Sequence, residues 1–281
     1  MALTGTAGAI GGLFSGRPRH PVGPDGRMVL SDHLRELRAR LLKATLAILV
    51  ALVVSLFFFD QILSILSGPY ETAQRAVGED VTTPTSNGVG GPFMLYLKLC
   101  GLAAVVVTSP YWLYQLWAFI LPGLHAHERT WTRVFAVVAG PLFIAGVSVG
   151  YYTLPKGLEI LIGFTPDGLI NLVDFGDYLS FLTRTLLVFG IAFEIPVFII
   201  LLNLAGVLRG KAIGKHRPWI VLITFVFAAV ATPSTDPFTM LFLAVPMVLL
   251  IFVSEVIARW LDKRRGVLEL EELDDDEMSA L

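Results

Sequence analysis

One glutamate stands among several cations in the stretch SDHLRELRARLL, residues 31–42. Glu36 has Arg35, Arg38 and Arg40 as neighbours, and an apolar run follows directly. In a helix Glu36 and Arg40 are four residues apart and can form an ion pair that contributes about 0.3 kcal/mol. Alternatively, the carboxylate binds a cationic ligand from outside the chain. These residues alone favour the internal pair.

Three further acids stand where a carboxylate can do chemistry. Glu128 lies in LPGLHAHERTW, and Asp236 lies before the last apolar run. Each of these two acids either complements a helix N-terminus or has a function of its own. Glu194 lies within the apolar run FGIAFEIPVF, where a carboxylate is costly and must face protein or water. Glu194 is therefore either a functional group or a protonated acid that fixes helix packing.

The sequence carries no signature of an enzyme or a metal site. His-Glu-x-x-His, Gly-x-Ser-x-Gly and phosphate-loop motifs are missing. His125 and His127 are two possible ligands without a third, and the single cysteine, Cys100, excludes an internal disulfide. We predict no catalysis, no cofactor and no nucleic-acid partner.

The elements that position these residues are predicted to be membrane helices. Of 281 residues, 55% are hydrophobic and 16% are charged, whereas a soluble domain carries about 25% charged residues. A helix needs about 20 apolar residues to cross a bilayer. We therefore predict an all-α integral membrane protein in which six transmembrane helices span the cell membrane. The predicted spans are 41–59, 92–120, 134–152, 178–207, 218–231 and 238–253.

The last two predicted spans are short, and only TPSTD separates them. They are expected to form a tight hairpin that thins the bilayer or is shielded by the rest of the protein. The two outer loops, 60–91 and 153–177, are longer than ordinary connections. Their stretches ILSIL and LEILIGF predict short helices on the interface that cap one side of the bundle. Aromatic residues over 111–131 predict a belt at the inner membrane boundary.

The distribution of cations predicts the orientation. Seventeen of the 21 lysines and arginines fall in the two ends of the chain and in the loops after the second and fourth spans. By the positive-inside rule both termini are cytoplasmic. We predict a disordered N-terminal tail (1–27), a membrane domain (28–258) and a charged cytoplasmic C-terminal tail (259–281). Lys98 and Arg184, towards the outer ends of their spans, are expected to snorkel.

Several segments, in uninterrupted order, resemble TatC, the six-span subunit of the twin-arginine protein translocase. They are HLRELRARLL, SPYWLYQLWAFILPGLHAHER, YLSFLTRTLLVFGIAFEIPV, RPW, and ATPSTD with AVPM. The resemblance runs from about residue 28 to about residue 258. It implies a concave, glove-like bundle that acts as receptor for the twin-arginine signal peptides of folded, exported proteins. It also implies that Glu36 and Glu128 bind the paired arginines, because Arg–carboxylate pairs give a geometric selectivity that lysine lacks.

The resemblance implies roles for other residues near this site. Arg38 and Arg40 are expected to hold Glu36 in place and to leave one lone pair free. Gln115 and Arg129 are expected to complete the signal-peptide site.

Away from that site, the resemblance implies structural positions on the periplasmic side at Pro69, after the first outer helix, and at Asp236. Glu194 is expected to be an intramembrane polar group. Single-span TatA and TatB type subunits are expected to dock along the fifth span, within a translocase that holds several copies of this chain. The docking residues are Trp219, Thr232 and Met240. Met240 stands near a position where some relatives carry a glutamine, and it cannot supply that hydrogen bond.

A second function stays open, a proton-coupled secondary transporter of a small solute with Glu194 as the coupling acid. Against it, no matching pair of Gly/Pro-broken spans marks two inverted halves. An intramembrane enzyme that uses Glu194 or Asp236 is a third reading, and it lacks a nucleophile–base pair.

Overall fold

A computed structural model describes residues 30–78, 81–85, 90–120, 129–166, 168–232 and 237–265. Within these residues the chain forms ten helices and two short strands. In chain order they are α1 (Leu30–Leu56), α2 (Phe59–Val77), β1 (Thr82–Thr85), α3 (Gly91–Val107), α4 (Ser109–Ile120), α5 (Arg129–Gly163), β2 (Asn171–Asp174), α6 (Phe175–Ala192), α7 (Ile195–Leu204), α8 (Gly210–Lys215), α9 (Arg217–Ala231) and α10 (Pro237–Arg264).

The helices confirm the prediction of a mostly helical membrane protein. In the described part of the chain, four segments are long and apolar enough to cross a membrane, namely α1, most of α5, α6 with α7, and α10. The bent pair α3 and α4 makes a fifth if it counts as one span. The helix α9 is apolar but has only 15 residues. The count of six spans stays a prediction.

The predicted span 92–120 is broken into α3 and α4, which are bent by 59°. Pro110, the second residue of α4, has no N–H and therefore cannot donate to the preceding turn, which favours a break there. The carbonyl of Val106 is the acceptor that an N–H at position 110 would have used. It accepts a hydrogen bond from Ser109 Oγ at 2.7 Å instead. A local side chain thus satisfies the carbonyl that the break leaves without its helical donor.

Two helices run well past their predicted bounds. The helix α5 continues to Gly163, so the prediction of a separate short helix at LEILIGF is wrong. The helix α10 has 28 residues and ends at Arg264, inside the region expected to be a tail. Of the two helices in the predicted hairpin 218–253, only α9 is short. The stretch ILSIL lies in a helix, α2, as predicted.

The two outer loops are joined by a parallel pair of strands that the sequence did not predict. Thr82 pairs with Asn171, and the register continues to Thr85 and Asp174. The hydroxyl of Tyr70 lies 2.9 Å from Thr82 Oγ1, which fastens β1 to α2. We call the end of the bundle that carries α2, β1 and β2 the cap end.

The prediction that Pro69 follows the first outer helix is wrong, because Pro69 is buried inside α2. A proline leaves the carbonyl four residues earlier without its helical donor. That carbonyl belongs to Ile65, and it accepts a hydrogen bond from the hydroxyl of Tyr151 at 2.7 Å. The next carbonyl, of Leu66, accepts from the hydroxyl of Tyr178 at 2.7 Å. The helices α5 and α6 therefore supply donors that also fasten α2 to the bundle.

The helices α5 and α6 approach closely at Gly146 and Gly150, a pair of small residues four apart on one face of α5. A Cβ added at Gly146 would lie 2.5 Å from the carbonyl oxygen of Phe189. One added at Gly150 would lie 3.0 Å from the Cβ of the same residue. Larger side chains would push the helices apart. This contact holds α6 close to α5 near the C-terminal end of α6, where the helix breaks at Phe193 and Glu194.

Candidate functional site

Glu36 is held by one of its two carboxylate oxygens. Oε1 accepts hydrogen bonds from Arg40 Nε at 2.8 Å and from Arg40 Nη2 at 2.6 Å. Arg40 Nη1 also donates to Gln115 Oε1 on α4, at 3.4 Å. The side chain of Glu36 is 12% exposed. Within the described part of the chain, Oε2 accepts no hydrogen bond. The internal pair predicted from the spacing is therefore present, and it leaves an oxygen that a further donor can reach.

Arg38 differs from Arg40 in its position on the helix. It is exposed, and no contact joins it to Glu36 among the described residues. Positions i and i+2 do not face each other in a helix, whereas i and i+4 do. The expectation that both arginines hold Glu36 is met by Arg40 alone.

The polar side of α1 faces the protein, and its leucines face outwards. Leu34 and Leu41 are exposed, whereas Asp32 and Ala39 are buried. This inverts the pattern of a soluble amphipathic helix, because lipid tails solvate leucine as well as a protein core does. His33, on the inward side, stacks on Phe119 of α4 with ring centroids 4.4 Å apart. The contact between α1 and α4 thus orients Glu36.

The other half of the predicted arginine site lies outside the described residues. Glu128 directly precedes α5, and Arg129 is the first residue of that helix, with its side chain outside the described part. Asp236, predicted to stand before the last span, also lies outside it, directly before α10. These predictions stay predictions.

Glu194 lies at the break between α6 and α7 and is 9% exposed. Its Oε2 accepts a hydrogen bond from Trp117 Nε1 at 3.2 Å. Its Oε1 is buried and has no hydrogen-bond partner among the described residues. A buried, unpaired polar atom costs about 1–3 kcal/mol. The arrangement can accept a donor from a ligand, a partner helix or water.

Trp117 was missed as part of this site, because the sequence placed it in an aromatic belt. It is buried, and Trp112 donates to the carbonyl of Val105 at 3.0 Å. Tyr111 and Tyr114 in the same segment are exposed, as a belt requires. The mixed pattern shows that α4 has an exposed side and a buried side.

The predicted partner-docking residues lie on or beside α9. Trp219 begins an exposed apolar stripe that continues with Ile223, Val226 and Val230. Thr232, directly after the helix, donates from Oγ1 to the carbonyl of Ala228 at 2.9 Å. The side chain of Met240, on α10, is partly buried. The stripe is a surface of suitable length and polarity for another membrane helix.

The C-terminal part of α10 carries two buried acids that bind distant segments. Glu255 accepts two hydrogen bonds from Arg217, both at 2.8 Å. Arg259, four residues later on the same helix, also lies 2.7 Å from Glu255. Asp262 accepts from Asn203 Nδ2 and from the backbone N–H of Gly210, both at 2.7 Å. These contacts hold the α7–α8 connection and the start of α9 against α10.

No group of three His, Cys, Asp or Glu side chains suited to a metal ion occurs in the part of the chain that the structure describes. His125 and His127 lie outside that part. Cys100 is a buried free thiol.

The family model TatC, described as Sec-independent protein translocase protein (TatC), matches residues 32–246. The Sec-independent protein translocase protein TatC of Frankia casuarinae is 43% identical over 269 residues, which cover 92% of this chain and 74% of that protein. The TatC of Escherichia coli is 32% identical over 232 residues, which cover 82% of this chain and 88% of that protein.

A solved structure agrees with the sequence matches. The crystal structure of the twin-arginine translocase receptor TatC superposes with a TM-score of 0.68 at 29% identity. The superposition covers 81% of this chain and 98% of that one. This chain therefore belongs to the TatC family of Sec-independent protein translocase proteins, and it is a membrane protein of protein transport.

Proposed function

We propose that this chain is the receptor and core subunit of the twin-arginine translocase, and that it binds the twin-arginine signal peptides of folded proteins for export. The observation that carries the proposal is the half-used carboxylate of Glu36. Arg40, itself bound to Gln115, holds the side chain through Oε1, and Oε2 is left to accept from a guanidinium. A hydrogen bond between charged groups is about twice as strong as a neutral one.

A pair of arginines needs a second carboxylate, and we assign Glu128 to that role. The assignment rests on the resemblance of the HER motif, and on the fact that the residue directly precedes α5. Arg38 and Arg129 are cations that can select the orientation of the incoming peptide. We assign no direct contact with the peptide to Gln115, since it contacts Arg40.

The proposed topology has six spans and cytoplasmic termini, in a concave bundle. It counts α3 with α4 as one span and α9 as a short one. The excess of lysine and arginine in the ends and in two of the loops supports this orientation. Glu36 then lies on the cytoplasmic side, where an unexported protein is first met.

Single-span partner subunits are proposed to dock on the exposed stripe of α9 that begins at Trp219. The stripe repeats at three- and four-residue spacing, which matches one face of a helix. At about 1.5 Å per residue α9 spans ~22 Å, less than the hydrocarbon core. A partner helix here would pass through a locally thinned bilayer.

A comparison of two peptides tests the receptor function. Purified full-length protein is titrated with a labelled twin-arginine signal peptide and with a matched twin-lysine peptide. Because only arginine offers a fork of donors, we expect the arginine peptide to bind at least about tenfold more tightly. The affinity should fall with added salt. Equal affinities would contradict the proposal.

Glu194 is proposed to help a polar segment or a partner helix enter the membrane, through the carboxylate oxygen that has no described partner. Glutamine keeps an acceptor for Trp117 but puts an NH₂ donor in place of the unpaired oxygen, whereas alanine removes both groups. We expect Glu194→Gln to support export at a level between those of the unmutated protein and Glu194→Ala. We expect Glu194→Ala to lower export about 5- to 30-fold, in line with a loss of about 1–2 kcal/mol. Export of a reporter into the periplasm measures the difference.

The variant Trp117→Phe is the matched control for Glu194. It keeps an aromatic ring in the core and removes only the donor to Oε2, so export should fall less than in Glu194→Ala. Full export with Glu194→Ala would show that the residue is incidental. Export by Glu194→Gln as low as by Glu194→Ala would mean that the second carboxylate oxygen or its charge is required.

A further inference from the structure

The cap end of the membrane domain has four cations with two different environments. Arg75 lies 3.7 Å from Glu71, and Lys156 lies 2.9 Å from Glu159, so each has an acidic partner. Lys98 and Arg184 have no acidic partner in the part of the chain that the structure describes. Both are exposed. Lys98 and Arg184 are therefore available to bind an anion from outside the chain.

Lys98 and Arg184 lie on one surface, where α3 meets α6. Lys98 Nζ donates to Ser180 Oγ at 2.8 Å and lies 3.5 Å from the carbonyl oxygen of Gly176. Arg184 is one helical turn beyond Ser180 on the same helix, so their Cβ atoms are about 6 Å apart. The two cationic groups can therefore reach a single anionic group between the helices.

The depth of these residues fits the boundary between headgroups and hydrocarbon. Lys98 is about 10 Å along α3 from Gly91, and Arg184 is about 14 Å along α6 from Phe175. The headgroup layer on each side of a bilayer is about 5–8 Å thick. Counted from these helix starts, both Cα atoms lie deeper than the thickness of one headgroup layer, and their long side chains can extend back towards it.

The surroundings of the two cations are apolar. Phe93, Met94 and Leu97 on α3 are exposed. A Cβ added at Gly101, one turn deeper than Lys98, would meet no atom within 4 Å, so there is open space beside the helix. A soluble anion gains only from the cations, whereas a molecule with an anionic head and apolar tails gains from the cations and from the apolar surface.

We propose that Lys98, Arg184 and Ser180 form a binding site for the phosphate of an anionic phospholipid in the leaflet at the cap end. The guanidinium of Arg184 and the ammonium of Lys98 bind the phosphate oxygens, and an acyl chain lies along α3 past Gly101. Cationic sites between membrane helices bind lipid headgroups in this way. The proposal depends on membrane insertion of the chain and not on signal-peptide binding.

Titration of the purified full-length protein with phosphatidylglycerol, followed by native mass spectrometry, tests the site. We expect the double variant Lys98→Gln/Arg184→Gln to bind the lipid at least about tenfold more weakly, since it loses two charged hydrogen bonds. The charge-preserving variant Lys98→Arg/Arg184→Lys should keep most of the affinity. Lys156→Gln, whose cation is already paired, is the matched control and should bind like the unmutated protein. Phosphatidylcholine should bind more weakly, because its own cation offsets the phosphate charge.

Three results would overturn the proposal. Undiminished phosphatidylglycerol binding by the double glutamine variant would show that the cations do not hold the lipid. Loss of binding in the charge-preserving variant, with an unchanged melting temperature, would show that positive charge does not determine lipid binding at this site. Displacement of the lipid by millimolar glycerol phosphate would mean that the site takes a soluble phosphate.

Discussion

Replacing Glu36 with alanine is expected to weaken the binding of a twin-arginine peptide about 10- to 150-fold, because a hydrogen bond to a charged group contributes about 1.5–3 kcal/mol. Glu36→Gln is expected to be nearly as weak. Its single amide oxygen would be taken by Arg40, which now occupies Oε1, and its NH₂ group would face the guanidinium of the peptide. The arginine-over-lysine preference should shrink in both variants. Peptide titration of the purified protein measures affinity and preference.

The matched control for Glu36 is Glu71→Gln at the cap end. Glu71 also pairs with an arginine four residues later on the same helix, Arg75. Loss of that pair should leave peptide binding unchanged, so the control separates loss of an ion pair from loss of a receptor group. Glu128→Ala should act in the same direction as Glu36→Ala. An unchanged arginine preference in the double variant of Glu36 and Glu128 would refute the assignment, and a loss of stability alone would leave Glu36 as an internal ion-pair partner.

The helices that carry the site were predicted from the length of the apolar runs, but the breaks within those runs were not. The apolar run of 92–120 continues through Pro110, and that of 178–207 continues through Glu194 and Pro196. Hydropathy therefore indicates one span where the structure has two helices. Proline was the available signal at both breaks, since it cannot donate to the preceding turn. What the sequence could not supply was the bend of 59° between α3 and α4.

The half of the site that depends on local spacing was predictable. Glu36 and Arg40 are an i, i+4 pair, and the structure has that pair. The contact of Arg40 with Gln115 joins residues 75 positions apart, and only the family resemblance placed Gln115 in the site. The bond between Trp117 and Glu194 spans 77 positions and was not predicted at all. Local periodicity carries no information on such pairs.

The extension of α10 was hidden for a related reason. After residue 253 the sequence turns polar, which is typical of a tail leaving the membrane. Two of the polar side chains are instead buried and have partners elsewhere in the chain, Arg217 for Glu255 and Asn203 for Asp262. The strands β1 and β2 were hidden because each has only four residues and the two lie far apart in the chain.

Removal of the carboxylate at position 262 is expected to have the largest effect on stability. Asp262 is 5% exposed, and its two oxygens accept from two different donors, the amide of Asn203 and the backbone N–H of Gly210. Asp262→Ala leaves both buried donors without this acceptor. Bonds to a charged acceptor contribute about 1.5–3 kcal/mol each, so the free energy of unfolding should fall by about 3 kcal/mol or more. Thermal unfolding in detergent, with protease cleavage at the α7–α8 connection, measures the loss.

Asp262→Asn tests the same two hydrogen bonds with a smaller change, because asparagine has one acceptor oxygen where two are used. One of the two bonds must be lost unless Asn203 turns its amide and gives up its bond to the carbonyl of Leu208, so we expect a loss of about 1 kcal/mol. Glu159→Gln, which removes an exposed pair with Lys156, should cost at most about 1 kcal/mol and leave the α7–α8 connection intact. Folded Asp262→Ala protein should still bind the twin-arginine peptide, whereas Glu36→Ala should keep its stability and lose the peptide. If Asp262→Ala melted like the unmutated protein, the contacts of α10 with Asn203 and Gly210 would not be what holds the connection in place.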